Sequence, residues 1–128
     1  MACLLDTNVA IYLRDGDPAI SANIAALDDA ILLSIVTRVE LEGGVHRDTA
    51  DAPARRARLD TLLSAIPVLA FDAAAADAYA VIVARAGYSR RKLLDRMIAA
   101  HALVHRATVV TMNADDFCDI AGLEMLAW

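Results

Sequence analysis

Ala2-Cys3-Leu4-Leu5-Asp6-Thr7-Asn8-Val9-Ala10-Ile11-Tyr12-Leu13 changes character at a single acidic residue. The short apolar run that precedes Asp6 is the pattern of a buried strand. Thr7 or Asn8 can cap a helix that continues through Val9, Ile11, Tyr12 and Leu13. The stretch therefore predicts strand, carboxylate, helix, in that order.

Outward from this unit, Asp15-Gly16-Asp17-Pro18 is a turn, and Ile20, Ile24 and Leu27 mark a second short helix that starts near Pro18. Residues 30–35 read as a second buried strand. Ser34 or Thr37 then starts a helix carrying Glu40, expected to stop or bend at Gly43-Gly44. Pro53 opens a helix with Leu59, Leu62, Leu63 and Ile66 on one side and Arg55, Arg56 and Arg58 on the other. Residues 68–71 form a third strand, and Asp72 caps an alanine-rich helix that ends at Gly87 in the left-handed conformation. Ser89-Arg90-Arg91-Lys92 leads into a helix over 93–106, residues 108–111 are a fourth strand, 113–117 a polar turn, and 123–126 a candidate last strand.

Short strands alternating with longer helices predict a single α/β domain over residues 1–128, with a mainly parallel sheet of four to five strands and helices on both faces. Ligands of such sheets bind beyond the carboxyl ends of the strands. Asp6 follows the first strand and Asn113 to Asp116 follow the fourth, so both emerge at one edge.

Composition narrows the function. The chain has 128 residues and 59% apolar content, yet no apolar run is long enough to span a membrane. MACLLDTN lacks the basic start of a secretory signal, so a cytoplasmic protein is expected. Cys3 and Cys118 have no metal-binding spacing and read as ordinary buried thiols. Twelve Lys and Arg against seventeen Asp and Glu give a formal charge of −5, the wrong sign for a broad nucleic-acid surface. Two divalent cations held by acidic side chains would offset most of that charge and turn the site anion-attracting.

Each acid alone has an ordinary explanation as a cap, a solvated helix face or a turn. Asp95 is the most informative of them, because its helix is apolar around most of its circumference, and a carboxylate there is costly unless paired or metal-bound, although a helix N-terminus favours negative charge. Several carboxylates with no essential His or Cys suit phosphodiester hydrolysis with Mg²⁺ or Mn²⁺. Competing motifs are weak. His101 and His105 stand one turn apart without a third zinc ligand, Ser34 has no Gly-x-Ser-x-Gly elbow, and the scattered glycines make no phosphate loop. No Asp-x-Asp-x-Thr pattern follows the first strand.

Four segments in order carry a family resemblance: Leu4-Leu5-Asp6-Thr7-Asn8; Ser34-Ile35-Val36-Thr37-Arg38-Val39-Glu40-Leu41; Leu94-Asp95-Arg96-Met97-Ile98-Ala99-Ala100-His101-Ala102-Leu103; and Val110-Thr111-Met112-Asn113-Ala114-Asp115-Asp116-Phe117 followed by Gly122-Leu123. Together they resemble the PIN-domain nucleases, and within them the VapC-like toxins of toxin–antitoxin pairs, over nearly the whole chain. The resemblance implies a Mg²⁺-dependent endoribonuclease, with Mn²⁺ an alternative ion. Asp6 and Asp95 are then the direct metal ligands, Glu40 and Asp116 complete the catalytic acids, and Asn8, Thr111 and Asn113 orient them. Glu42 beside Glu40 and Asp115 beside Asp116 compete for those roles, and the number of ions stays open. The resemblance also implies an RNA substrate, a homodimer and a cognate antitoxin, a small DNA-binding protein whose tail covers the groove or inserts an arginine. Ile20, Ile24 and Leu27, or Leu59 and Leu62, are then candidates for interface. Arg90, Arg91, Lys92 and Arg96, just around Asp95, are candidates for a phosphate clamp. Two other readings stand beside this one: a catalytically silent binding module of the same fold, and a Mg²⁺-dependent nuclease of structured DNA.

Overall fold

The computed structural model describes every residue from Met1 to Trp128. Strand β1 (Ala2–Leu5) leads through helices α1 (Thr7–Arg14) and α2 (Pro18–Ala25) to β2 (Ala30–Ser34). Helices α3 (Ile35–Val45) and α4 (Ala52–Ala65) follow, then β3 (Val68–Leu69), α5 (Ala73–Ala86), α6 (Leu93–His105), β4 (Ala107–Thr111), a 3-10 turn (Ala114–Phe117) and β5 (Met125–Ala127). The strands lie in the order β3-β2-β1-β4-β5, and every pairing is parallel. The expected α/β architecture is present.

Strand β1 is central, with β2 on one side and β4 on the other. The chain winds outward from β1 to β3 and then returns to lay β4 against β1, so the order reverses between β1 and β4. In open parallel sheets this reversal makes a crevice at the carboxyl ends of the strands. Register places Leu5 beside Val110, so Asp6 and Thr111, one residue further on, meet at that crevice.

Both faces of the sheet are covered, and alternation along the strands divides the core. Cys3, Leu5, Leu33 and Val110 pack with Val9, Ile20, Leu41, Val45, Leu59 and Leu62 on the side of α1 to α4. Leu4 and Val109 pack with Ile82, Ile98, Ala99 and Phe117 on the side of α5 and α6. Ile20, Leu59 and Leu62 are therefore core, not free interface. Ile24 and Leu27 are partly buried against them.

Several local expectations need correction. Helix α3 runs through Gly43-Gly44 and ends one residue later, at Val45, and neither glycine adopts positive φ. A Cβ on Gly44 would sit 3.5 Å from Arg14 Nη1, an ordinary van der Waals contact, so the guanidinium beside it does not require glycine there. Gly87 has positive φ but an extended ψ of 159°, while the left-handed helix end belongs to Arg106. The third strand is only Val68–Leu69. Cys3 is buried, but Cys118 is exposed, because it faces outward after the 3-10 turn. No helix is long and apolar enough to cross a membrane.

Candidate active site

Asp6 is placed by the end of β1. Its backbone N–H donates to the Val110 carbonyl at 3.0 Å, extending the β1–β4 pairing by one residue. Its side chain caps α1, with Oδ1 accepting from the Val9 N–H at 3.0 Å. The Thr111 hydroxyl donates to Oδ2 and itself accepts from the Asn113 N–H at 2.9 Å. Asn113 Nδ2 in turn donates to Asp116 Oδ2 at 2.7 Å. One hydrogen-bonded chain thus joins Asp6, Thr111, Asn113 and Asp116 across the carboxyl end of the sheet.

Glu40 comes from the opposite wall. Ser34 caps α3 by accepting from the Val36 N–H at 3.0 Å. Thr7, the first residue of α1, donates to Glu40 Oε1 at 2.7 Å, and its hydroxyl also lies 3.2 Å from that of Thr37. The neighbouring acid is engaged elsewhere: Arg56 donates to Glu42 at 2.6 Å and to Asp60. Of the two glutamates, Glu40 lines the cleft.

Asp95 lies in the first turn of α6, which has no side-chain cap. Its carboxylate accepts no hydrogen bond from the protein, unlike the other three acids. Burial first, then the charges of Asp116, Asp6 and Glu40, push its pKa up to about 6. Asp6 is also raised by burial, but the Thr111 and Val9 hydrogen bonds oppose the shift. More buried than Asp95, Asp6 is compensated by the fold, whereas Asp95 is not.

Asp6, Glu40, Asp95 and Asp116 share one polar cleft of about 470 Å³ with Thr7, Asn8 and Arg14. Asp115 is exposed and outside its lining. Hard carboxylate oxygens around an unpaired Asp95 make a donor set suited to Mg²⁺ or Mn²⁺. The acids stand along the cleft walls, and no three His, Cys, Asp or Glu side chains form a closed metal cluster. Their mutual repulsion is the observation that fits a cation.

The expected basic clamp is corrected in part. Arg96 is buried, donates through Nη1 to the Gly87 carbonyl and through Nη2 to Asp119 at 3.1 Å, and so ties α6 to the end of α5. Lys92 also donates to Asp119, at 3.1 Å. Only Arg90 and Arg91 remain exposed from that set. Arg14, Arg47 and Arg55 line the cleft instead. Sequence reading missed them because Arg55 lay on an ordinary polar helix face and Arg47 in a loop.

The histidines form no metal pair. His101 is buried, with Nδ1 2.9 Å from Ser34 Oγ and Nε2 3.1 Å from the Ala70 carbonyl, and burial lowers its pKa. The carbonyl can only accept, so Nε2 carries the proton and Ser34 donates to Nδ1. His105 is exposed.

A family model described as the PIN domain matches residues 3–123. The chain is 33% identical to the tRNA(fMet)-specific endonuclease VapC of Shigella flexneri, over 98% of this chain and 96% of that protein. It is 28% identical to Ribonuclease VapC2 of Rickettsia felis, over 100% and 98%. The solved complex of VapBC2 from Rickettsia felis with a promoter DNA fragment contains a chain with TM-score 0.87 and 26% identity, covering 100% of this chain and 99% of that one. A chain of the DNA-bound VapBC from Salmonella typhimurium has TM-score 0.86 and 28% identity, covering 100% and 98%.

Proposed function

The chain belongs to the PIN-domain family, with VapC proteins among its relatives, and from that premise we propose that it is an endoribonuclease toxin that hydrolyses RNA phosphodiester bonds with divalent-metal dependence. The observation that carries the site assignment is Asp95, a carboxylate without a hydrogen-bonding partner, facing three like charges in one cleft. That arrangement is costly for folding and makes sense as a receptor for a cation.

Asp6 and Asp95 would hold the ion, Mg²⁺ or Mn²⁺. Bound there, it would supply Lewis acidity and a water of lowered pKa. The chain's own residues do the rest. Thr111 and Val9 fix the Asp6 carboxylate in one rotamer, and Asn113 fixes Asp116. Thr7 holds Glu40 by one oxygen, leaving the other to take the proton as water attacks phosphorus in line with the departing ribose oxygen. Asn8, exposed at the start of α1, lines the same cleft and orients what enters it.

We further infer a cytoplasmic setting, a homodimeric state and a cognate antitoxin; the antitoxin is supported by a solved relative from Mycobacterium tuberculosis that belongs to the VapBC family of toxin–antitoxin systems. An apolar groove of about 630 Å³, lined by Leu13, Ile24, Ile31, Ala65 and Ile66, adjoins the cleft through the shared Arg14. It offers a surface of the kind that protein partners cover.

The test is cleavage of total RNA by the purified chain with Mg²⁺, again after EDTA, and by Asp95→Asn. Fragmentation stopped by EDTA and reduced at least about 100-fold by the substitution is expected. Undiminished cleavage by the variant overturns the site. Preference for flap DNA would reassign the substrate, and metal binding without any cleavage would leave a binding module.

A further inference from the structure

Three arginines gather around Gly44. The Gly44 carbonyl accepts from Arg55 Nη1 at 3.0 Å and from the backbone N–H of Arg47 at 3.4 Å. Arg14 Nη1 lies alongside, 3.5 Å from where a Cβ on Gly44 would stand. The carbonyls at a helix C-terminus carry partial negative charge and favour cations, so the end of α3 collects this basic group. Glu40 and Gly44 are four residues apart on α3, on the same helix face, with a rise of about 6 Å between them. The acidic pole of the cleft and its arginine pole are thus one helical turn apart, close to the advance of one nucleotide along an extended strand.

The three cations are not equivalent. Arg14 is buried and spent on Asp15, to which Nε and Nη2 donate at 3.0 and 3.3 Å. Arg56 lies on the same helix as Arg55 but is neutralised by Glu42 and Asp60. Arg55 touches only a carbonyl, which leaves its charge uncompensated and its remaining N–H groups available, and Arg47 has no carboxylate partner. Both line the cleft. In a protein of charge −5, two uncompensated guanidinium groups offset the acidic pole beside them and give a polyanion a place to be held.

We propose that Arg47 and Arg55 form a phosphate subsite that holds the RNA backbone phosphate next to the scissile one, with Arg14 as its buried wall. The proposal rests on the ribonuclease reading and adds the register in which the strand lies. Guanidinium forks suit phosphate oxygens, and the Gly44 carbonyl fixes the direction of the Arg55 fork.

The experiment uses a fluorescent single-stranded RNA oligonucleotide, with binding followed by anisotropy and cleavage followed separately, for wild type, Arg47→Gln and Arg55→Gln. Arg47 is exposed and its variant keeps the fold, whereas Arg55 also braces α4 against α3, so its variant is checked by thermal melting. Each substitution is expected to raise Kd and KM about 10-fold, the effect of losing one charge-assisted phosphate contact. With kcat nearly unchanged, the salt dependence of log affinity should also fall by about 0.7 for each lost contact. Mn²⁺ affinity measured by calorimetry should stay the same. Unchanged Kd and salt slope in Arg47→Gln, with wild type cleaving normally, overturns the subsite and leaves the ribonuclease reading intact. Binding that depends on both arginines without any cleavage does the opposite. Absence of both binding and cleavage overturns both.

Discussion

Helices α3 and α6 carry two polar clusters that the fold treats in opposite ways. At one, Ser34 and His101 meet, and every polar atom has a partner: Val36 N–H to Ser34, Ser34 to His101, His101 to the Ala70 carbonyl. At the other, Glu40 and Asp95 stand six residues away along the same two helices, and Asp95 has no partner at all. Phe71 packs on the imidazole at 5.0 Å between ring centroids, completing a closed neutral site. The carboxylate cleft is open, like-charged and incompletely satisfied. Buried polar groups are normally saturated, so the difference separates a cluster that fixes helix packing from one left open, as the proposed cation-binding role requires.

The strongest way to break that contrast is to remove a partner from the saturated cluster. His101→Leu sets an apolar side chain beside Phe71 but leaves the Ser34 hydroxyl without its acceptor and the Ala70 carbonyl without its donor. A destabilisation of about 2 kcal/mol is expected by urea denaturation. Cleavage per folded molecule should change less than tenfold. A well-folded variant that loses all cleavage would mean that the two clusters are not separable.

How far this was legible in the sequence differs between the two clusters. Asp6 was readable because strand, acid and helix capping all occur within a few residues, and local chemistry fixes its position. The saturated cluster was not, since Ser34 and His101 are 67 positions apart and only packing of α3 against α6 brings them together. Glu40 and Glu42 looked alike until Arg56, from the next helix, engaged the second. Gly43-Gly44 looked like a helix end because local propensity says so. The helix runs one residue past them, to Val45, with neither glycine in positive φ. Arg96 misled for a related reason: it closely follows the basic run Arg90-Arg91-Lys92, but its side chain turns inward to Gly87 and Asp119.

A smaller effect of opposite sign is expected from the unsatisfied cluster. Asp95→Asn removes a carboxylate that burial and three like charges disfavour, so the metal-free protein should gain about 1 kcal/mol above pH 6, after allowance for solvent screening of this partly exposed group. The same substitution is expected to abolish cleavage, the stability–function opposition of a binding site. The pH dependence follows from linkage. With a folded pKa raised from 3.8 to about 6, Asp95 keeps its proton longer in the folded chain than in the unfolded one. Its contribution is therefore fully present below about pH 4 and lost as pH rises through about 6. Asp6, also raised, acts in the same direction. Thermal melts across this window should show metal-free stability falling with pH, the fall shrinking in Asp95→Asn, and Mg²⁺ opposing it by binding the ionised form. A flat profile in wild type would remove the contrast with the Ser34–His101 cluster.

The finest distinction lies between two adjacent residues. Asp115 and Asp116 share the 3-10 turn, but only Asp116 accepts from Asn113 and lines the cleft. After burial, the charge of Asp116 is also the largest influence on Asp95, ahead of Asp6 and Glu40. Asp116→Asn should therefore lower the Asp95 pKa toward the ordinary carboxylate range, read from the carboxyl resonance of Asp95 during an NMR titration of the metal-free protein. Asp115→Asn, on the exposed side of the turn, should leave that titration unchanged, alter stability by less than about 0.5 kcal/mol and keep cleavage within twofold. If the two variants shift Asp95 equally, charge near the turn matters only in sum. The unsatisfied cluster would then extend beyond the cleft, and its boundary with the rest of the fold would no longer be set by which carboxylate faces inward.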